Sequence, residues 1–244
     1  MLKNLVKLIL QKLLGFDNYL FIFSIFIIKK LRWDKNEKDF IYFLDLVPDN
    51  GLVLDIGANI GIMTVHFAKK LKNSTIFSFE PIPQNIKTLE RIVRYFKLKN
   101  VRIIECALGD ENGEIEMVMP VINSVKMQGL SHVLHESIEG NNEGEVFKVP
   151  VKKLDDINEI DINNKKINAI KIDVENFEYF VLKGGRELIN KHRPLIYCEL
   201  WEQENKSKTL ELLINFNYDA KVKENNELVK YTNQKTQNFF FIPH

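Results

Sequence analysis

The chain has 244 residues, 45% of them hydrophobic and 27% charged, which are the proportions of a globular protein long enough to bury a core. A formal charge of +1 gives the whole chain no pull toward nucleic acid, and no nucleic-acid partner is expected. Two cysteines, Cys106 and Cys198, are too few for a disulfide framework; they are expected as buried free thiols in a reducing, cytoplasmic setting.

In residues 1–14, Lys3, Asn4, Lys7 and Gln11 fall on one helical face and Leu2, Leu5, Val6, Ile9 and Leu13 on the other, the pattern of an amphipathic helix. Gly15, Asp17 and Asn18 break it, and an apolar run over residues 19–28 ends at Lys29 and Lys30. Ten helical residues rise only about 15 Å, half of a ~30 Å hydrocarbon core. Joining the two runs would sink Lys7, Gln11, Lys12 and Asp17 into lipid, which argues against a membrane span. No small-residue cleavage site follows, which argues against a signal peptide. Residues 1–40 are therefore expected to be a helical extension capping a main domain of residues 41–244. The alternative is a peripheral membrane contact through residues 1–30, with Lys3, Lys7 and Lys12 toward headgroups.

The remainder alternates strand and helix. Val53 to Ile56 form a β-rich run ending at Gly57, suited to a buried parallel strand. Periodicity predicts a helix over 60–71, a strand over 75–79, a helix over 84–98 and a strand over 101–106. An irregular insert, 109–149, follows, bracketed by β-like stretches at 115–119 and 146–151. The alternation resumes with a strand at 169–172, a helix at 177–190, a strand at 195–200 and a helix at 206–216. Two final runs, 218–222 and 238–242, are expected to pair as a hairpin. The prediction is an α/β fold: a doubly wound, Rossmann-like sheet of seven mostly parallel strands with a C-terminal antiparallel edge hairpin. Its ligand crevice lies at the carboxyl ends of the strands, where four clusters sit.

The first cluster is Asp55-Ile56-Gly57-Ala58-Asn59-Ile60-Gly61. Asn59 occupies the place of the second glycine of a dinucleotide fingerprint, which disfavours a nicotinamide cofactor. Asp55 is a poor neighbour for phosphate and a good one for an ammonium group, so the loop favours a nucleoside with a cationic tail. Any tight strand-to-helix turn is the plainer alternative. The second cluster, Glu80-Pro81, ends the next strand, where a carboxylate can accept both hydroxyls of a ribose. Its distance from the loop is close to the ~20 residues such a pair requires. In the third, small Ala107 and Leu108 leave room for a flat adenine, with Asp110 near its amine; a plain turn at Gly109-Asp110 competes. In the fourth, Asp173 and Glu175 follow a strand and either can accept a proton from an acceptor hydroxyl, whereas Glu178 suits helix capping.

Taken in order, VLDIGANIG (53–61), FEP (79–81), ALGD (107–110), VKKLDDI (151–157) and IKIDVENFEYFVLKGG (170–185) resemble the FkbM family of methyltransferases over about residues 51–199. The resemblance implies a class I fold using S-adenosyl-L-methionine to methylate hydroxyls of sugars, polysaccharide precursors or other natural products. It implies that Asp55, Gly57, Asn59 and Gly61, with Ala58, hold the methionine part. Glu80 with Pro81 takes the ribose, and Ala107 and Leu108 line the adenine. Asp173 and Glu175 stand at the family's DVE positions, and Asn176 replaces the glycine that follows; Asn tolerates a left-handed conformation better than most residues.

An alcohol needs a nearby base before it attacks a methyl group. Asp173 and Glu175 are the catalytic candidates, with Glu199, His132 and His135 facing a small-molecule or glycan acceptor. The segment 129–135 could close over the crevice as a lid. Its two histidines, three apart, could share a helical face, but a metal would need a further ligand from elsewhere, and none is expected. His66 is expected to be structural. A methyltransferase acting on nucleic acid or protein is the competing class, although nothing basic stands out beyond Lys69, Lys70 and Lys72. A non-catalytic S-adenosylmethionine-binding domain is another.

Overall fold

The computed structural model describes residues 2–161 and 165–244. Met1, where the predicted first helix opens, and the side chain of Lys3, assigned to headgroups, lie outside the described residues. Helices α1 (Leu2–Leu14), α2 (Phe16–Lys30) and α3 (Lys38–Leu46) lead into β1 (Leu52–Ile56). Next come α4 (Ile62–Lys70), β2 (Thr75–Phe79), α5 (Pro83–Tyr95) and β3 (Val101–Ile104). The insert carries β4 (Ala107–Leu108), β5 (Gly113–Ile122), β6 (Val125–Lys126), β7 (His132–Val133) and β8 (Gly144–Lys152). The chain then runs through β9 (Ile167–Ile172), α6 (Glu178–Lys183), α7 (Arg186–His192) and β10 (Leu195–Glu199). It closes with α8 (Glu204–Asn215), β11 (Tyr218–Glu224), β12 (Glu227–Lys230) and β13 (Asn238–Pro243).

The main sheet has the order β12-β11-β13-β10-β9-β1-β2-β3, and its five strands from β10 to β3 are parallel. Both β1 and β9 are buried throughout, as their near-continuous apolar sequences require when helices cover both faces. The chain builds outward from β1 through β2 and β3, then returns to β9 on the other side. That reversal opens a crevice past the carboxyl ends of β1 and β9. The sheet has eight strands where seven are expected. Asn225 and Asn226, at φ 48° and 66°, form a two-residue turn from which β12 pairs back on β11. The runs at 218–222 and 238–242 do pair, but β13 sits between β10 and β11, so the edge belongs to β12.

The helix expected over 177–190 is broken into α6 and α7 at Gly184-Gly185. A Cβ on Gly184 would lie 1.9 Å from the Gly109 carbonyl oxygen, so glycine lets the start of the insert seat against the break. The insert is more regular than its composition suggests. There β5 and β8 form a long antiparallel pair, with β4 added to β8, and β6 and β7 added to β5.

At the N-terminus, α2 buries Tyr19, Leu20 and Ile28 against α4 and α5. His66 Nε2 lies 3.1 Å from the Ile28 carbonyl oxygen, and burial lowers its pKa to about 4, so the ring is neutral and structural, as expected. The boundary expected at residue 40 falls inside α3, whose Phe40 and Phe43 are buried against Phe67 and Tyr197. The amphipathic α1 is mounted with its polar face inward. Gln11 Nε2 donates to the Lys126 carbonyl at 3.1 Å, and the Lys126 amide donates back to Gln11 Oε1 at 3.2 Å. Leu5, Val6, Ile9, Leu10 and Leu13 remain exposed. A capping helix would have done the reverse. Among the described residues, no helix is long and apolar enough to cross a membrane.

Candidate active site

The loop after β1 turns at Gly57, whose φ is +75° and whose added Cβ would lie 1.9 Å from the Asp173 carbonyl oxygen. Only glycine fits that approach. The Gly57 and Ala58 amides donate to the Phe79 carbonyl at 3.1 and 2.9 Å, tying the loop to the end of β2. Asn59, at φ 49°, turns its amide onto Glu80 Oε2 at 2.8 Å. Glu80 also accepts from the Ile82 amide at 3.0 Å and from Asn85 Nδ2 at 3.1 Å. Burial pushes its pKa up to about 6 even against these three donors.

Glu80 stands in the wall of a cavity of about 640 Å³, mouth included. Phe79, Pro81, Ile82, Ala107 and Leu108 are apolar lining, and Gly57, Asn59 and Asn85 offer backbone and side-chain polar groups. Met117, Gln128, Ser131 and Val133 close it from the insert, so the segment expected as a lid does form a wall here. Two buried acceptors of these lining residues, Asn59 Oδ1 and Asn85 Oδ1, have no hydrogen-bond partner among the described residues. An unmatched buried acceptor costs about 1–3 kcal/mol, so the pocket is complementary to a ligand that donates hydrogen bonds. Ribose hydroxyls and an ammonium group, beside an adenine against the apolar lining, have that character.

Not every expected cofactor residue faces this cavity. Asp55 is fully buried behind the loop, where Oδ2 accepts from Thr64 Oγ1 at 2.6 Å and Oδ1 lies 3.4 Å from Lys171 Nζ. The cation beside it is thus the protein's own. Lys171, 2% exposed, also donates to the Gly57 carbonyl at 2.9 Å and lies 3.7 Å from Asp173 Oδ2. Burial disfavours its charge, but Asp55 and Asp173 outweigh that effect and its pKa is raised. Sequence reasoning assigned this lysine no role; its signal was a cation in an otherwise apolar strand. Gly61 packs against the Leu89 side chain, and Asp110 accepts from Lys183 Nζ at 2.7 Å. Neither lines the cavity. Ala58 lines a neighbouring one.

That neighbouring cavity, about 1050 Å³, lies between the two N-terminal helices, the β1 loop and the insert. It shares Gly57, Asn59, Gln128, Gly129 and Asp173 with the first, so the two meet at Asp173. Lys7, Phe23 and Ile27 of α1 and α2, together with Glu37, line its other side. Sequence reasoning missed these residues, because no motif links them to the strand ends.

The acidic loop is held by its own helix. Glu175 and Asn176 are consecutive left-handed residues at φ 53° and 75°, and Glu178 Oε1 accepts the Val174 and Asn176 amides at 3.1 and 3.2 Å. Asn176 thus adopts a conformation suited to the family glycine, and Glu178 is structural by holding the loop amides rather than by the helix capping expected of it, for α6 has no side-chain cap. Burial, then Asp173, Glu199 and Glu178, raise Glu175 to about 8. Burial likewise raises Glu178 to about 8, while burial followed by Asp173 raises Glu199 to about 7. These carboxyls hold protons in the folded chain that an unfolded chain releases near about pH 4.3. Their stability contribution is therefore present at low pH and lost as pH rises through 7 to 8. The melting temperature is expected to fall from about pH 4.3 to pH 8 and to level off above that, and Glu178→Gln is expected to flatten that slope in a calorimetric pH series.

Glu199 lies outside the cofactor-type cavity, in a hollow shared with Glu37, Lys171 and Asp173. His132 is buried in β7, its ring nitrogens 2.9 Å from the Leu130 carbonyl oxygen and 2.9 Å from Asn142 Oδ1. His135 Nδ1 accepts the Ser137 amide at 3.1 Å, and its ring packs on Phe180 at 4.9 Å. The two histidines share no helical face, since a strand and a turn separate their directions, and neither lines the two cavities that meet at Asp173. Among the described residues no three His, Cys, Asp or Glu side chains form a metal-binding group. Cys106 and Cys198 are buried and free, and Cys106 lines the first cavity.

The Methyltransferase FkbM domain family matches residues 55–226. Methyltransferase 1 of Beauveria bassiana is 30% identical over 162 residues, covering 61% of this chain and 63% of that protein. The 2-O-methyltransferase NoeI of Sinorhizobium fredii is 28% identical over 161 residues, covering 63% of this chain and 64% of that one. The chain therefore spans less than two thirds of the length of either relative. In fold it is similar to the crystal structure of a methyltransferase FkbM from Methylobacillus flagellatus KT. The TM-score is 0.52 at 17% identity, over 81% of this chain and 45% of that one. With the family match covering most of the chain, from Asp55 at the crevice to the C-terminal strands, this protein belongs to the FkbM methyltransferase family.

Proposed function

We propose that the chain is an S-adenosyl-L-methionine-dependent methyltransferase acting on an oxygen of a sugar, a polysaccharide precursor or another hydroxylated natural product. The observation that carries the cofactor assignment is Glu80, fixed by three donors beside the acceptors Asn59 Oδ1 and Asn85 Oδ1, unpartnered among the described residues. In this reading Glu80 accepts ribose hydroxyls, Ala107 and Leu108 pack on adenine, and Gly57, Asn59 and Pro81 line the remainder, supported by the one cavity that all of them line. When bound, S-adenosylmethionine supplies a methyl group on a sulfonium. Transfer to oxygen is supported by the similarity to the 2-O-methyltransferase NoeI. The acceptor belongs in the cavity beside Asp173, walled by α1 and α2. There Asp173, with Glu175 behind it, takes the proton of the acceptor hydroxyl, and the insert wall keeps water from the junction.

The test is calorimetric titration with S-adenosylhomocysteine, with NAD as control. Binding of the first alone is expected, and at 100 times its dissociation constant it should stabilise the fold by about 2.7 kcal/mol. Glu80→Ala is expected to weaken that binding roughly tenfold to a hundredfold, the value of a hydrogen bond to a charged group. Equal affinity in the variant would remove Glu80 from the cofactor site, and no binding by the wild type would overturn the proposal.

A further inference from the structure

The inverted mounting of α1 leaves a continuous apolar stripe facing away from the protein. Leu5, Val6, Ile9, Leu10 and Leu13 follow helical spacing and are all exposed, Leu13 by 77%. On α2 the outward positions Ile22 and Phe26 continue the pattern, and Trp33 just beyond it is 79% exposed. Single exposed apolar residues are ordinary, but a run of this length on one helix face marks a contact surface. The polar side of α1 is already used, through the paired Gln11 and Lys126 bonds.

Charge identifies the partner. Residues 1–33 hold six cations, Lys3, Lys7, Lys12, Lys29, Lys30 and Arg32, against Asp17 alone. Asp17 is neutralised by Lys87 and Lys30 lies 3.8 Å from Asp34 just beyond this segment, while Lys12, Lys29 and Arg32 are exposed. The whole chain carries only +1, so the remaining residues are net negative and the positive charge is concentrated in the segment that carries the apolar stripe. A second copy on this face would bring two such clusters together, and they would repel. An anionic bilayer attracts them, and tryptophan is at home in the headgroup layer.

We propose that this face rests on the surface of an anionic lipid bilayer, with α1 lying in the interface. The inference is independent of methyl transfer. Its test is co-sedimentation of the full chain with vesicles of phosphatidylcholine alone, or of phosphatidylcholine mixed with phosphatidylglycerol. The wild type is expected to sediment with the mixed vesicles, to be released by high salt, and to bind phosphatidylcholine alone far more weakly. Ile9→Glu with Leu13→Glu is expected to abolish sedimentation with an unchanged circular dichroism melt, since both side chains are exposed. Lys29→Glu or Arg32→Glu is expected to weaken it by about fivefold or more for each lost cation. The proposal is overturned if the wild type ignores mixed vesicles, if it binds both vesicle types equally, or if the double variant binds as well as the wild type. A concentration-dependent dimer dissolved by the same double substitution would equally overturn it, giving the face to a second copy.

Discussion

Asp173→Asn is expected to lower methyl transfer by about 10²- to 10⁴-fold while leaving affinity for S-adenosylhomocysteine within a few-fold of wild type. The side chain is a third exposed and lies where the two cavities join, so a group there can reach a ligand in either. Asparagine keeps the shape and loses the basic oxygen. The measurement is release of S-adenosylhomocysteine over a panel of hydroxylated sugars and natural products, beside calorimetric binding of the same product. Glu175→Gln is expected to reduce the rate less, because Glu175 holds its own proton up to about pH 8. A wild-type rate in Asp173→Asn with collapse in Glu199→Gln would move the base to the hollow beside Glu37.

Lys171→Met is expected to destabilise the fold by about 3–5 kcal/mol, the usual consequence of removing one partner from a buried ion pair. With the ammonium gone, Asp55 would keep Thr64 Oγ1 as a donor but face a fully buried position with no cation. The Gly57 carbonyl would lose its 2.9 Å contact, loosening the turn that carries Asn59 toward Glu80. Chemical denaturation reads the loss directly. The double variant Asp55→Asn with Lys171→Met is expected to recover most of it, because no fully buried charge is left unpaired and Asp173, a third exposed, keeps contact with water. If the double variant is as unstable as the single one, the pairing of Lys171 with Asp55 is not what holds the loop.

The strand-end clusters were legible in sequence because a parallel sheet fixes where each strand delivers its last residues. Gly57, Glu80, Ala107 and Asp173 all reach one cavity on that logic alone. Asp55 was misplaced because chemistry at a strand end says nothing about which side of the turn a carboxylate faces. Its fate depended on Lys171, two strand residues from Asp173 and hidden in an apolar run. The insert resisted prediction for a related reason: Met117 and Val133 reach the cavity only through the pairing of β5 with β7 and β8, and Gln128 through the short turn at 128–130. For α1, periodicity gave both faces correctly, but only packing could decide which one turned inward. The extra strand β12 had a signal that went unused, the Asn225-Asn226 pair between short β-prone runs.

The place of β9 beside β1 also sets the order in which the molecule can be completed on the ribosome. Strand β1 finds β2 early, but its other neighbour begins at Ile167. At ~5–20 residues per second, roughly 110 intervening residues leave that edge of β1 open for about 6–20 s. The carbonyl that crowds Gly57 and the cation that holds Asp55 arrive with the same late strand. The first-made loop of the site is therefore the last to set, and a nascent chain halted within the insert would carry the family's opening motif without the geometry to use it.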